Sequence, residues 1–459
     1  MAGVGFELRA IATSNSYLST ARVFGAAAVI GSGPWLISIL TLLFIGLAGQ
    51  RMMTDPSIVA RFQVSVTWMF FCSLVVSGPV QLTFTRFVAD RMYEERSDTV
   101  LPNMVGALAI VSGLALLLSA LVWPFFDGVP VAARVFLAAG LGTLCNIWIV
   151  VTALSALRQH TVVLGCFLLG YLVTFVGTLA LSTYGLPGLL AGFALGQTTL
   201  LITGLWALTR FQPGAGGARF GFMRRQNFYP DLAMVGALFN LGVWVDKVLF
   251  WFDPLTGEKV LGPLRASEAY DLPIFLAYLS IVPGMAVFLV RVETDFSDAH
   301  RAFYDAINRG AALRVIEPLC DEMTEAARRG IIDIFRVQGI VFALCLLVGS
   351  QLLSWFGISE LHAPLFFIDA AAVGMQVILL AAVNMFFYLD RRRTVMAVCA
   401  LLVVSNGVFT WLTQQAGPEF YGYGFAASVT LTTLVALGWL SRSFTTLVRD
   451  TFMLQPVAP

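Results

Sequence analysis

Apolar runs of 18 or more residues recur along this sequence from about residue 21 to about residue 441. A bilayer whose hydrocarbon core is about 30 Å thick demands runs of that length from every helix that crosses it. A transmembrane strand barrel is excluded, because its strands alternate apolar and polar residues where this chain runs apolar. Composition agrees: 58% of residues are hydrophobic and 12% charged, with a mean hydropathy of +0.83, far outside the range of soluble domains. The chain is expected to be an all-α polytopic membrane protein.

Spanning helices are predicted at about 21–49, 62–87, 104–124, 132–157, 161–182 and 187–209, then at about 231–252, 271–290, 336–357, 363–389, 394–414 and 422–441. Twelve transmembrane helices in two six-helix lobes place both termini on one side. Lys and Arg concentrate in cytoplasmic loops, so the basic residues decide which side that is. With the N-terminus inside, 22 of the 28 basic residues fall in inside segments. Arg51, Arg61, Arg134, Lys259 and Arg265 fall outside and Lys247 within the membrane. Both termini are therefore expected in the cytoplasm, and the first apolar run shows no small-residue cleavage site of a signal peptide.

The polar, glycine-rich and basic stretch 211–230, with Pro213, Gly214, Gly216, Gly217, Arg219, Arg224 and Arg225, suits a cytoplasmic linker between an N-terminal lobe 1–210 and a C-terminal lobe 231–459. The second helix of each lobe carries a break, Gly78-Pro79 in one and Pro283-Gly284 in the other. Proline removes the donor for the carbonyl four residues earlier, here that of Val75 or Leu279. Interrupted helices at matching places in two repeats point to a transporter's pathway, although Gly and Pro are also common in membrane helices. Gly33-Pro34 supplies a further break in the first helix, where small residues also permit close packing.

Charge inside an apolar helix is costly, and the stretch 231–252 carries Asp246 and Lys247 roughly 22 Å from its start. Gly236, Asn240, Trp244, Lys247 and Trp251 share one helical face. That face reads either as the wall of a polar cavity or as a structural ion-pair site against a neighbouring helix. Adjacent residues point about 100° apart, so Asp246 and Lys247 are expected to find other partners. Trp35, Trp244 and Trp251 offer broad faces for stacking on sugars, with interfacial anchoring the plainer reading of Trp251. Arg86 and Asp369, near helix ends, are further pathway candidates.

The segment 291–336 is long for a helix connection. Phe296, Phe303 and Ile307, then Leu313, Ile316, Cys320 and Met323, recur every three or four residues among charges, which predicts amphipathic helices. They would cover the membrane surface, the protein's own inner face or a partner. The six cysteines are dispersed and read as core fillers, and the three histidines suggest no metal site. No Gly-rich loop ends in the Gly-Lys-Ser/Thr of a nucleotide-phosphate cradle, so no ATP hydrolysis is expected; no catalytic residue, cofactor or enzyme activity is expected either. The net charge of +1 carries no message about partners, and nucleic acid is not among those expected.

The sequence resembles the PelG family of exopolysaccharide transporters in the multidrug/oligosaccharidyl-lipid/polysaccharide exporter (MOP) superfamily. The resemblance rests on Gly3-Val4-Gly5-Phe6-Glu7-Leu8-Arg9, Gly31-Ser32-Gly33-Pro34-Trp35, Arg61-Phe62-Gln63-Val64-Ser65-Val66-Thr67, Gly78-Pro79, Thr85-Arg86-Phe87 and Leu101-Pro102-Asn103. It continues through Asp246-Lys247, Phe250-Trp251, Glu293-Thr294-Asp295-Phe296 and Phe303-Tyr304-Asp305-Ala306-Ile307. The major facilitator motif is matched only by Asp90-Arg91. What the resemblance implies is export of the hexosamine-rich Pel polysaccharide across a bacterial inner membrane. It implies a cytoplasmic glycosyltransferase and membrane-bound cyclic-di-GMP-responsive proteins as partners. Two other functions stay open at this point: an ion-coupled flippase of a lipid-linked oligosaccharide using Asp246, and a non-transporting scaffold for the synthase.

Overall fold

A computed structural model describes residues 17–53, 55–157, 159–211 and 217–453. The N-terminal Gly3–Arg9 stretch, Arg158, and Pro213, Gly214 and Gly216 of the linker lie outside the described residues. The first half of the chain forms α1 (Tyr17–Met52), α2 (Pro56–Tyr93), α3 (Val100–Val122), α4 (Val131–Ala156), α5 (His160–Ala180) and α6 (Gly185–Phe211). There follow α7 (Pro230–Phe252), the strands β1 (Glu258–Leu261) and β2 (Leu264–Ala266), and then α8 (Glu268–Leu279), α9 (Ile281–Val290) and α10 (Ser297–Asn308). The chain continues with α11 (Leu313–Trp355), α12 (Ala363–Tyr388), α13 (Arg392–Ala416) and α14 (Tyr423–Met453). Among the described residues 11 helices are long and apolar enough to cross a membrane, and α8 with α9–α10, bent by 40° at their junction, makes a twelfth if the pair is one span.

Local chemistry sets several boundaries. Asp55 caps α2 by accepting from the Ser57 N–H at 2.9 Å, and Pro56 follows where a helix needs no donor. Together with the Ser57 hydroxyl, that hydrogen bond holds the Asp55 carboxyl below its ordinary range. Hydroxyls inside the apolar helices bond back one turn, as Ser38 does to the Pro34 carbonyl at 2.8 Å and Thr83 to that of Pro79 at 2.8 Å. No polar hydrogen is then left facing hydrocarbon at these positions.

Of the three expected breaks, one interrupts a helix. The chain leaves helical bonding at Ser280, one turn before Pro283, where the Leu279 carbonyl has lost its donor. At Gly33-Pro34 and Gly78-Pro79 the helices run through, with Pro34 inside α1 and Pro79 inside α2.

The segment 291–336 is helical almost throughout. A π-helical turn, Arg291–Phe296, joins α9 to α10, and α11 runs on from the segment into the next span without a break. Phe296, Phe303, Ile316, Met323 and Ile334 are buried, while Glu317, Asp321, Glu322, Arg328 and Arg329 are exposed. Phe296 sits 5.5 Å from the Tyr388 ring and 6.2 Å from that of Phe444, centroid to centroid. Phe296, at the head of the apolar stripe, thus packs on the protein's own helices α12 and α14. Arg291 clamps the bend by pairing with Asp295 at 2.8 Å and with Asp333 of α11 at 2.9 Å.

By contact density, Gly33–Glu268 form one compact unit, and the described residues before Gly33 and after Glu268 form the other. This division differs from the one expected at 211–230, because α7 lies within the first unit. The linker residues after the undescribed stretch are docked: the Arg219 N–H donates to the Pro102 carbonyl at 2.9 Å and that of Gly221 to Asn103 Oδ1 at 2.6 Å. Phe222 is fully buried against Phe84 and Phe87.

Candidate functional site on helix α7

Helix α7 starts at Pro230, whose ring suits a first helical position, and crosses α2 at a pair of glycines. A Cβ on Gly236 would overlap the Gly78 carbonyl, and one on Gly78 would overlap that of Gly236. Only two hydrogens at this crossing let the backbones approach so closely. One turn on, Asn240 Nδ2 donates to the Gly236 carbonyl at 2.9 Å and to the Leu74 carbonyl of α2 at 3.1 Å. Leu74 precedes Val75, whose carbonyl Pro79 leaves without its helical donor. Farther along, the Trp244 ring lies 5.5 Å from that of Phe71, and Trp251 lies 4.7 Å from Trp68. The face read from sequence as a cavity wall is therefore packed against α2 in this structure. Asn240 and Trp244 stay half-buried.

Against expectation, Asp246 and Lys247 pair with each other. Lys247 Nζ pairs with Asp246 Oδ2 at 3.0 Å and donates to the Val243 carbonyl at 3.1 Å. The angle of about 100° between adjacent side chains holds for the Cβ directions, but a long lysine stem folds back across it. Asp246 is 0% exposed and Lys247 6%. The ammonium also lies 5.8 Å from the centre of the Trp244 ring. The two charges are held in a buried pair with an indole beside them.

Trp251 is not an interfacial anchor. It is 1% exposed, surrounded by Trp68, Phe71 and Trp244. The hairpin β1–β2 holds this end of α7, since Arg265 Nε donates to the Trp251 carbonyl at 2.7 Å and the Arg265 carbonyl accepts from Trp68 Nε1 at 2.7 Å. The hairpin escaped the sequence reading, although Gly262-Pro263 between Val260-Leu261 and Leu264-Arg265 is a turn signal. Gly262 takes the positive φ of +55° that such a tight turn needs.

The remaining candidates lie apart from this face or outside its packing. Arg86 pairs with Asp90 at 3.0 Å, half-exposed near the end of α2, with its guanidinium 5.6 Å from the Tyr229 ring centre. Trp35 is half-buried in α1. Asp369 belongs to the other unit and is 0% exposed, six residues into α12. In that same unit a carboxylate the sequence reading passed over, Glu293, is buried and accepts from the Tyr388 hydroxyl at 2.9 Å. Its signal was present in the Glu293-Thr294-Asp295-Phe296 motif, where a charge adjoins an apolar helix.

Residues 1–452 match the family model PelG, described as "Putative exopolysaccharide Exporter (EPS-E)". The chain belongs to the PelG family. No curated protein matches it. Among solved structures it is similar to a multidrug resistance MATE family transporter of the MOP superfamily in its outward-facing conformation, at 14% identity and a TM-score of 0.65, over 92% of this chain and 96% of that one. An inward-facing structure of a multidrug resistance MATE family transporter is matched at 11% identity and TM-score 0.60, over 92% and 99%. A MOP superfamily transporter from Pyrococcus furiosus is matched at 13% identity and TM-score 0.64, over 92% and 96%. At these identities the likeness shows the fold, which is the two-lobed MATE-like transporter fold. Membership of the PelG family indicates a membrane transporter rather than an enzyme.

Proposed function

We propose that this protein exports a hexosamine-rich exopolysaccharide, the Pel polymer, across a bacterial inner membrane, with both of its termini in the cytoplasm. The observation that carries the reading is the family match over residues 1–452, and the composition of α7 supports it. That helix brings two indoles, an amide and a buried ion pair onto and beside one face. Indole faces suit the apolar faces of sugar rings, and Asn240, Asp246 and Lys247 suit hydroxyl and acetamido groups. In this reading the helices before and after 211–230 work as two six-helix lobes, and the α2–α7 seam separates to admit polymer. Trp35, Arg86 and Asp369 are secondary pathway candidates.

The test is secretion of polymer by cells that carry the double substitution Asp246→Asn with Lys247→Met, which removes both charges and leaves neither uncompensated. Loss of secretion at normal protein abundance supports a pathway role. Undiminished secretion makes the pair structural and favours the scaffold reading. The cytoplasmic glycosyltransferase would dock on the exposed charged face of α10–α11. Because the apolar face of that segment is buried, the docking test is charge reversal at Glu317, Asp321 and Glu322, not deletion. Retained co-purification of the glycosyltransferase would remove this docking site.

A further inference from the structure

A crevice of about 340 Å3 lies between α2, the C-terminal end of α3, the N-terminal end of α4 and the β1–β2 hairpin. Met69, Leu118, Leu137 and Leu141 make its walls, and Trp68 closes one side, fixed by its hydrogen bond to the hairpin. Among the residues that line it, Arg134 alone carries charge. Arg134 Nε donates to the Val129 carbonyl at 2.9 Å, and its guanidinium carbon lies 5.8 Å from the centre of the Trp123 ring. These two contacts orient the fork, and no acceptor among the described residues takes up its terminal nitrogens. Around the crevice Leu117, Leu121, Phe125, Val131 and Val135 are exposed, an apolar surface that belongs against lipid. From Arg134 to Leu141 the wall extends seven residues along α4, or about 10 Å.

We propose that this crevice holds one acyl chain of a glycerophospholipid, with the lipid phosphate on the terminal nitrogens of Arg134. Lipid tails are as apolar as the crevice, so transfer from bilayer to protein yields no hydrophobic gain. Retention rests instead on filling a shaped space with close contacts and on a charge-assisted pair between guanidinium and phosphate. An arginine suits this better than a lysine, since its planar fork offers two donors to one phosphate in fixed geometry. The distribution of basic residues assigns Arg134 to the outer side of the membrane, so the lipid comes from the outer leaflet. Trp68 and Phe252 line the crevice and touch each other in the aromatic cluster around Trp251. A retained lipid therefore braces the packing at this end of α7.

Native mass spectrometry of the full chain, titrated with dioleoyl phosphatidylglycerol in detergent, tests the site. One retained lipid is expected. Arg134→Gln should weaken its binding roughly tenfold, the value of one charge-assisted hydrogen bond. Ala138→Trp, which fills the crevice and keeps the arginine, should abolish retention. Ser119→Trp blocks the same space from α3 and replaces it if Ala138→Trp is not monodisperse. Dioleoylglycerol, which lacks the phosphate, should bind the unmodified protein no better than phosphatidylglycerol binds Arg134→Gln. Retention at the unmodified level in both crevice and arginine variants overturns the proposal. So does equal binding of dioleoylglycerol, or displacement of the lipid by millimolar inorganic phosphate, which would mark a bare anion site.

Discussion

The buried pair on α7 makes the sharpest energetic prediction. Asp246 and Lys247 are 3.0 Å apart and 0% and 6% exposed, so removing one takes the ion-pair partner from the other in a medium that solvates charge poorly. Breaking a buried pair from one side costs about 3–5 kcal/mol. Placing a lone charge near the centre of a membrane helix costs about 2.5–3.5 kcal/mol on insertion scales. The two figures agree on about 3 kcal/mol for either Asp246→Asn or Lys247→Met. Removing both charges deletes the desolvation cost along with the attraction, and such replacements are often near neutral. The double variant should therefore recover most of the loss, so that it costs far less than the sum of the two single variants. The assay is the apparent melting temperature of purified protein in one detergent, where each single variant should fall by about 3 °C and the double by much less. Additive losses, with the double variant falling by the sum of the singles, would refute the reasoning.

Other substitutions probe the seams around that pair. Gly236→Leu puts a side chain where the Gly78 carbonyl already sits, and overpacking of this kind costs about 1–3 kcal/mol, read as a lower apparent melting temperature. An unchanged value would mean that α2 and α7 do not touch there. Tyr388→Phe removes the hydroxyl that donates to buried Glu293 at 2.9 Å, for a loss of about 1–3 kcal/mol. Adding Glu293→Leu to Tyr388→Phe should restore part of it, and no restoration would contradict the pairing. Arg265→Lys keeps the charge but not the fork that reaches the Trp251 and Gly257 carbonyls, so amide exchange over residues 257–266 should quicken. Exchange at the original rate would show that the hairpin holds without it.

What could be read from the sequence follows from which forces are local. Run length and apolarity dictate spanning helices, and the expected 231–252 and 132–157 differ from α7 by one residue at its start and from α4 by one residue at each end. The periodicity around Ile316, Cys320 and Met323 gave amphipathic helices, but a helix does not stop where one of its faces becomes charged. For that reason α11 runs 43 residues from the segment into the membrane. Partner choice is not local. Trp251 at a helix end looks like an anchor until Trp68, far off in the sequence, is found 4.7 Å away. Glycines at 78 and 236 read as breaks or as cavity lining, while their carbonyls show a helix crossing. The Asp246–Lys247 pairing was missed because helical angles describe where side chains start and not how far a lysine reaches.

The α2–α7 seam is where the transport reading is most exposed. Leu74→Cys and Asn240→Cys, placed in a background without the six native cysteines, put one thiol on each side of the seam, at residues whose main-chain carbonyl and side-chain amide meet at 3.1 Å. Secreted hexosamine-rich polymer is then measured before oxidation, after quantitative cross-linking, and after reduction. If polymer passes through a seam that must open, secretion stops on cross-linking and returns on reduction. Secretion that continues unchanged through a fully cross-linked seam would contradict the account.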